Sequence, residues 1–381
     1  MNASLSDINV RLLSAYFIQW GVLMCYFNRF IHCSLVAVLL SACNSGYQTS
    51  VNSVPTKTKD SSGTTSMLMT DRVFNATNSN LGLHYVTATS SKVSIISDFG
   101  DLYRLNKKVF KIVKNDEIPE DLLSVYAVDD MVYLSDKKGN IYSSQNNFKT
   151  IKQDNVGKNI ALYGFGSLDD TLLIAGYNGN IFIQDNEDHE NDKNDSRQER
   201  DWRNINLGGY SLYSITSDGN NTLLAVGNSG VIWRSADRGA HWNRLLVTGV
   251  NSNLYQVRYI NDDFYIAGDY ATLLKSSDHG LTWKKVNFDN PLLATKHFKS
   301  ITTIWDGKLE KIILVGTGGL IISSANNGIS WQVESSGVAE HLLSVDCTEE
   351  RTNATCYATG GNAILSSTDK GHTWSPMIIQ N

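Results

Sequence analysis

The chain has 381 residues, with 33 Lys+Arg against 38 Asp+Glu and a formal net charge of −5. That near balance supplies no basic field for a nucleic-acid partner. Aromatic residues make up 10 % and no helical apolar period is sustained, which argues against a helical bundle and for an all-β body.

At the N-terminus an apolar run from Phe30 to Leu40 follows Arg29 and leads into Leu40-Ser41-Ala42-Cys43. The run is too short to span a bilayer and suits a signal-peptide core. Its last four residues resemble a bacterial lipobox, which implies that Cys43 is lipidated and becomes the first mature residue. Residues 1–42 are read as a signal peptide whose true start is Met24, because Met24 to Arg29 forms a compact basic beginning. Asn44 follows the Cys where an Asp would hold a lipoprotein at the inner membrane. The expected location is therefore the outer membrane, facing the periplasm. Residues 43–79, polar and rich in Ser and Thr, are read as the lipidated Cys and a flexible tether.

From residue 80 to 381, short β-branched and aromatic runs return in groups of four, split by Gly, Asn and Asp. Leu83-His-Tyr-Val86, Val93-Ser-Ile-Ile96, Asp101-Leu-Tyr-Arg104 and Val109-Phe-Lys-Ile112 open the series. A second group runs from Leu122 to Ile151, with its fourth strand placed at Lys149-Thr-Ile151, and a third from Leu162 to Ile205. An acidic insertion after Gln184, reaching Arg200, interrupts the third; it reads as a solvated loop without the spaced ligands of a Ca²⁺ site. In the second half the same string recurs four times. It reads Ser235-Ala-Asp237-Arg-Gly239-Ala-His-Trp242, Ser277-Asp278-His-Gly280-Leu-Thr282-Trp283, Ser324-Ala-Asn326-Asn-Gly328-Ile-Ser330-Trp331 and Ser367-Thr-Asp369-Lys-Gly371-His-Thr373-Trp374. The tryptophans stand 41, 48 and 43 residues apart, a period of propeller-blade length. Four strands per repeat and seven repeats predict an all-β, seven-bladed β-propeller of four-stranded antiparallel blades over residues 80–381.

The recurring string resembles the Asp-box, or bacterial neuraminidase repeat. In such a turn Ser and Asp bind the backbone, Gly supplies a positive φ, and Trp buries its ring against the sheet. The structural residues are then Ser235, Asp237, Gly239 and Trp242; Ser277, Asp278, Gly280 and Trp283; Ser324, Asn326, Gly328 and Trp331; and Ser367, Asp369, Gly371 and Trp374. Asn326 and Ala240-His241 depart from the pattern. From about residue 120 to the end, the chain is similar to seven-bladed propellers of the photosystem II assembly/stability factor family. That resemblance implies a non-catalytic protein that binds a membrane complex. The arginine patch expected of photosynthetic members is missing here.

Enzymatic readings find less support. A sialidase needs Arg-Ile-Pro near its first arginine, and none of Pro55, Pro119, Pro291 and Pro376 follows Arg-Ile. A glycoside hydrolase needs two carboxylates across a cleft. Asp129/Asp130, Asp169/Asp170 and Asp262/Asp263 all fall between first and second strands, where Asp-Asp forms turns. The first strands should line the channel with Tyr85, Ser124, Gly164, Ser214, Gln256, Ser300 and Ser344. Turns between second and third strands share a face with the blade-to-blade connections. They make a candidate partner-binding face of Asp136, Lys137, Lys138, Tyr177, Asn178, Asn228, Asp269, Tyr270 and Asn362. Cys347 and Cys356 sit on adjacent strands and, in an oxidising compartment, should form a disulfide. No metal or cofactor is expected. The reading is an envelope lipoprotein whose propeller acts as a scaffold or assembly factor for an envelope membrane protein or complex. The alternative is a carbohydrate-binding or glycan-cleaving propeller.

Overall fold

The computed structural model describes residues 83–380, except 91, 98, 114, 185–200 and 351–352. The expected signal peptide, Cys43, the tether and the acidic insertion lie outside the described residues.

Seven antiparallel four-stranded sheets follow one another along the chain, each built from consecutive strands. Their first, innermost strands are Leu83–Ala88, Leu122–Val128, Leu162–Leu168, Leu212–Ser217, Leu254–Ile260, Phe298–Trp305 and Ser344–Cys347. The fold is a seven-bladed β-propeller, as the repeats predict. Second strands such as Val93–Ser97 and Leu223–Gly227 are buried along their whole length, since each faces a neighbouring blade on both sides. That explains their unbroken apolar runs. The core is correspondingly divided into seven apolar clusters, each shared by two adjacent blades; Leu224, Val226 and Ile232 of blade 4 pack on Phe264, Ile266 and Leu274 of blade 5, for example.

Hydrogen bonds between inner strands tie the ring. The residues expected to line the channel do this work: Ser214 Oγ accepts from Val257 N at 3.2 Å, Gln256 Oε1 from Ile301 N at 2.6 Å, Ser300 Oγ from Val345 N at 3.1 Å, and Ser344 Oγ from Val86 N at 3.2 Å. The last of these joins blade 7 to blade 1. A further strand, Ile378–Gln380, crosses to the outer edge of blade 1 and pairs parallel with Val109–Ile112. In blade 7 Cys347 stands directly opposite Cys356, and the two are disulfide-bonded.

The repeated string forms the turn between third and fourth strands. Ser235 Oγ donates to Asp237 Oδ1 at 2.7 Å and accepts from Gly239 N at 2.8 Å; Asp237 Oδ1 accepts from His241 N at 2.9 Å; Trp242 Nε1 donates to Gly239 O at 3.2 Å. Gly239 has φ +85°, and a Cβ there would lie 2.4 Å from Ile183 Cδ1 of the preceding blade. Asn326 keeps the pattern, accepting from Ser330 N at 2.9 Å and donating Nδ2 to Ser330 Oγ at 2.8 Å.

Two expectations need correction here. In the second string the structural hydroxyl is that of Ser276, which donates to Asp278 Oδ1 at 2.7 Å and accepts from Gly280 N at 2.9 Å. Ser277 is one residue late for this geometry and is exposed. In blade 2 the fourth strand is Lys152–Asn155, not Lys149–Ile151. Residues 144–150 instead repeat the turn: Ser144 Oγ accepts from Phe148 N at 2.9 Å, and Asn146 Oδ1 accepts from Thr150 N at 3.0 Å. Phe148, at φ +60°, stands where the other turns have Gly and buries its ring in the cluster between blades 1 and 2.

Candidate functional site

Each inner strand enters the ring through a local irregularity. In six of the seven blades the register between first and second strand slips by one residue next to the entry, at His84, Leu123, Tyr163, Tyr213, Tyr255 and Lys299. Leu343 holds the corresponding place in blade 7. A β-bulge re-aims its extra side chain, and all seven of these residues line one cavity of about 950 Å³ along the ring axis.

In blades 3 to 7 the second strand closes on a glycine, which lets the backbones approach closely at this point. A Cβ on Gly316 would sit 2.2 Å from His297 O, on Gly360 1.9 Å from His341 O, and on Gly227 1.9 Å from Ser211 O. These glycines serve close backbone approach. The next turn then bonds back to the same carbonyls: Asn228 N to Ser211 O at 3.1 Å, Asp269 N to Asn253 O at 2.9 Å, Thr317 N to His297 O at 3.0 Å, and Tyr177 N to Ala161 O at 2.8 Å. Turns between second and third strands thus surround the channel mouth.

The mouth is aromatic over blades 3 to 5 and charged at blade 6. Tyr163 meets Tyr213 edge-on with centroids 5.7 Å apart, and Tyr213 stacks with Tyr255 at 6.0 Å. Lys299 Nζ lies 3.6 Å from the Tyr255 ring centre, a cation–π contact. Asp269 binds this group from behind: Tyr255 OH donates to Oδ2 at 3.1 Å, and His297 Nδ1 and Lys299 Nζ approach Oδ1 at 2.8 Å and 3.5 Å. Burial raises the pKa of all three tyrosines. Burial lowers that of Lys299, with Asp269 opposing.

The proposed surface residues divide accordingly. Tyr177 is 55 % exposed and Tyr270 64 %, and Tyr270 packs beside His297 with centroids 5.0 Å apart. Lys137 and Lys138 are exposed, with Lys138 paired to Asp121 at 3.1 Å. Asn178 is exposed, yet its Oδ1 accepts from Gly209 N at 3.1 Å. Asn362 is half-buried. Three are turn-builders: buried Asp136 accepts from Lys138 N and Asn140 N at 2.8 and 2.9 Å, Asn228 accepts from Ser211 N at 2.9 Å, and buried Asp269 anchors the network above.

The paired aspartates lie in turns at the opposite end. Asp129, Asp169 and Asp262 have φ of 49°, 52° and 66°, the conformation of turn residues. There the repeated turn of one blade clasps the preceding blade: Arg238 reaches Asp169 at 2.7 Å, His279 Asp218 at 3.1 Å, and Asn327 Asp263 at 2.6 Å. Further along the channel, Arg258 and Asp346 lie 3.9 Å apart, and Glu349 lines the same cavity. Burial pushes the pKa of Asp346 up against the pull of Arg258. Burial, with Asp129 and Asp346 nearby, pushes that of Glu349 up as well.

All seven residues expected to line the channel do so, and the residue before each of them lines it as well. Tyr163, Tyr213, Tyr255 and Lys299 went unnoticed because strict alternation, counted back from the strand interior, does not anticipate a bulge. The signal was present as a residue of changing character between the repeated Leu or Phe and the repeated small polar residue.

Fold and mouth together define a β-propeller with a channel rimmed by aromatic side chains. Over residues 51–291 the sequence matches the DUF6242 beta propeller domain, and the chain belongs to that family. Comparison with curated proteins finds no match. Among solved structures, a catalytically inactive virginiamycin B lyase from Staphylococcus aureus with quinupristin superposes with TM-score 0.60 and 14 % identity, covering 76 % of this chain and 95 % of that one. A streptogramin B lyase gives 0.61 and 12 %, covering 78 % and 94 %. YCF48 bound to D1 peptide gives 0.51 and 15 %, covering 68 % and 81 %. At such identities these likenesses concern the fold alone.

Proposed function

We propose that this protein is a non-catalytic envelope lipoprotein whose propeller acts as a protein-binding scaffold or assembly factor for a membrane complex. In this reading residues 1–42 are removed, Cys43 carries the lipid, and residues 43–79 tether the ring to the outer membrane, facing the periplasm. The four repeated turns are Asp-boxes that clamp blades together. One observation carries the binding role: the bulges aim three contiguous tyrosines into the channel mouth while Tyr177 and Tyr270 stand exposed beside it. Exposed aromatic residues anchor protein interfaces. A propeller of the same fold recorded with a peptide bound is compatible with such a use of the architecture. The test is affinity capture from solubilised envelope with lipidated wild-type protein and a Tyr177→Ala/Tyr270→Ala variant. A stoichiometric membrane-protein partner lost in the variant is the expected result. Retention on peptidoglycan or another glycan, with no protein partner, would overturn it in favour of the carbohydrate reading.

A further inference from the structure

We propose that the mouth selects an acidic segment of its partner, in which a carboxylate sits next to an aromatic side chain. This rests on the protein-binding reading and names the chemistry of what is bound. Among these seven entry residues, Lys299 is the single Lys or Arg, beside one histidine, three tyrosines and two leucines. Its side chain is 19 % exposed and is held at the junction of the Tyr255 ring and Asp269. Asp269 is already shared: the Tyr255 hydroxyl uses one oxygen, while His297 and Lys299 converge on the other. The Asp269 carboxylate lies behind the rings while Lys299 itself lines the cavity, so the lysine presents its positive charge to the mouth. Lys296 adds a second cation from the neighbouring turn at Gly318, which its Nζ adjoins.

Next to this cation the tyrosines offer ring surface. A ligand carboxylate meeting Lys299 places its neighbouring side chain over Tyr255 or Tyr213, where an aromatic ring gains stacking as well as burial. The far end of the channel has the opposite sign. Glu310, Asp346, Glu349 and Glu350 line it, with Arg258 as the single cation there among the described residues. That floor repels an acidic segment, so the segment docks at the mouth and does not thread through. Partial burial strengthens both effects relative to an exposed surface.

The test uses the full chain and three fluorescein-labelled hexapeptides read by anisotropy: one with Phe flanked by Glu, one with Phe flanked by Gln, one with Phe flanked by Lys. The expected order is Glu, then Gln, then Lys, with about a tenfold difference between the extremes. Lys299→Met should abolish the order while leaving the melting transition within a few degrees. Tyr213→Ala should weaken the Glu and Gln probes by equal factors. Equal or tighter binding of the Lys probe, an order that survives Lys299→Met, or binding of none of the three would each overturn the inference. The scaffold reading fails separately, through the envelope capture with Tyr177→Ala/Tyr270→Ala.

Discussion

Replacing Asp278 separates the two jobs a carboxylate does in the repeated turn. It accepts from Ser276 Oγ at 2.7 Å, Thr282 N at 2.9 Å and Thr282 Oγ1 at 2.6 Å. Three net hydrogen bonds at about 1 kcal/mol each, discounted because the carboxylate is largely in solvent, make Asp278→Ala cost about 2 kcal/mol. Over roughly 300 ordered residues, at about 2.1 cal/mol/K each, that lowers Tm by about 3 °C. Asp278→Asn should cost about 1 kcal/mol or less, because Asn326 already makes the same bonds in the next blade, its Nδ2 donating to Ser330 Oγ. The charge adds a pH term. Bonds from Thr282 hold the Asp278 pKa at about 2, below its ordinary 3.8. A depressed folded pKa gives stability that is complete above 3.8 and fades as pH falls toward about 2. Calorimetry from neutral pH down to about pH 2 should therefore show wild type and Asp278→Asn converging through that window. A Tm for Asp278→Ala indistinguishable from wild type, or equal losses for Ala and Asn, would refute the account.

Two further outcomes follow from geometry. Gly316→Ala puts a Cβ 2.2 Å from His297 O and should destabilise by about 3 kcal/mol or prevent folding. Gly249→Ala, with φ +78° and nothing within 4 Å, should cost about 1 kcal/mol; comparable urea midpoints for the two would rule out close approach as the reason for the strand-end glycines. Reducing the Cys347–Cys356 bridge releases a loop closed over a sequence separation of 9 and should cost about 2–3 kcal/mol. Unchanged denaturation with and without reductant would show that the antiparallel pairing of the two strands suffices.

The architecture was readable because the turn chemistry is local. Ser, Asp, Gly and Trp at fixed offsets satisfy one another within a few residues, so their spacing reports the blade directly. The turn at Ser144 escaped notice for the same reason inverted: Phe148 takes a left-handed backbone conformation that sequence assigns to Gly or Asn, and its buried ring holds it there. The closing strand Ile378–Gln380 was equally hidden, because three residues pairing in parallel with a strand more than 250 positions away carry no local signature. The paired aspartates read correctly as turns, but their clasp on the neighbouring blade depends on contacts between repeats.

The mouth was hidden for a deeper reason, which also bears on how the fold acquires specificity. Around the ring the residue before the bulge is Leu or Phe in every blade, and the residue after it is small or polar in most. Both are held by the frame, the first by the cores between blades and the second by hydrogen bonds to the next inner strand. The bulged position is tied to neither, because its side chain turns into the cavity. It is therefore free to be His, Leu, Tyr, Tyr, Tyr, Lys and Leu in turn. A ring of nearly equivalent blades thus carries an asymmetric mouth, with its tyrosines on one side and Lys299 at their end. If the mouth binds as proposed, exchanging these seven side chains among themselves should change what is bound while leaving the melting transition nearly unmoved. The same exchange one residue later, at Ser214, Ser300 or Ser344, should loosen the ring instead.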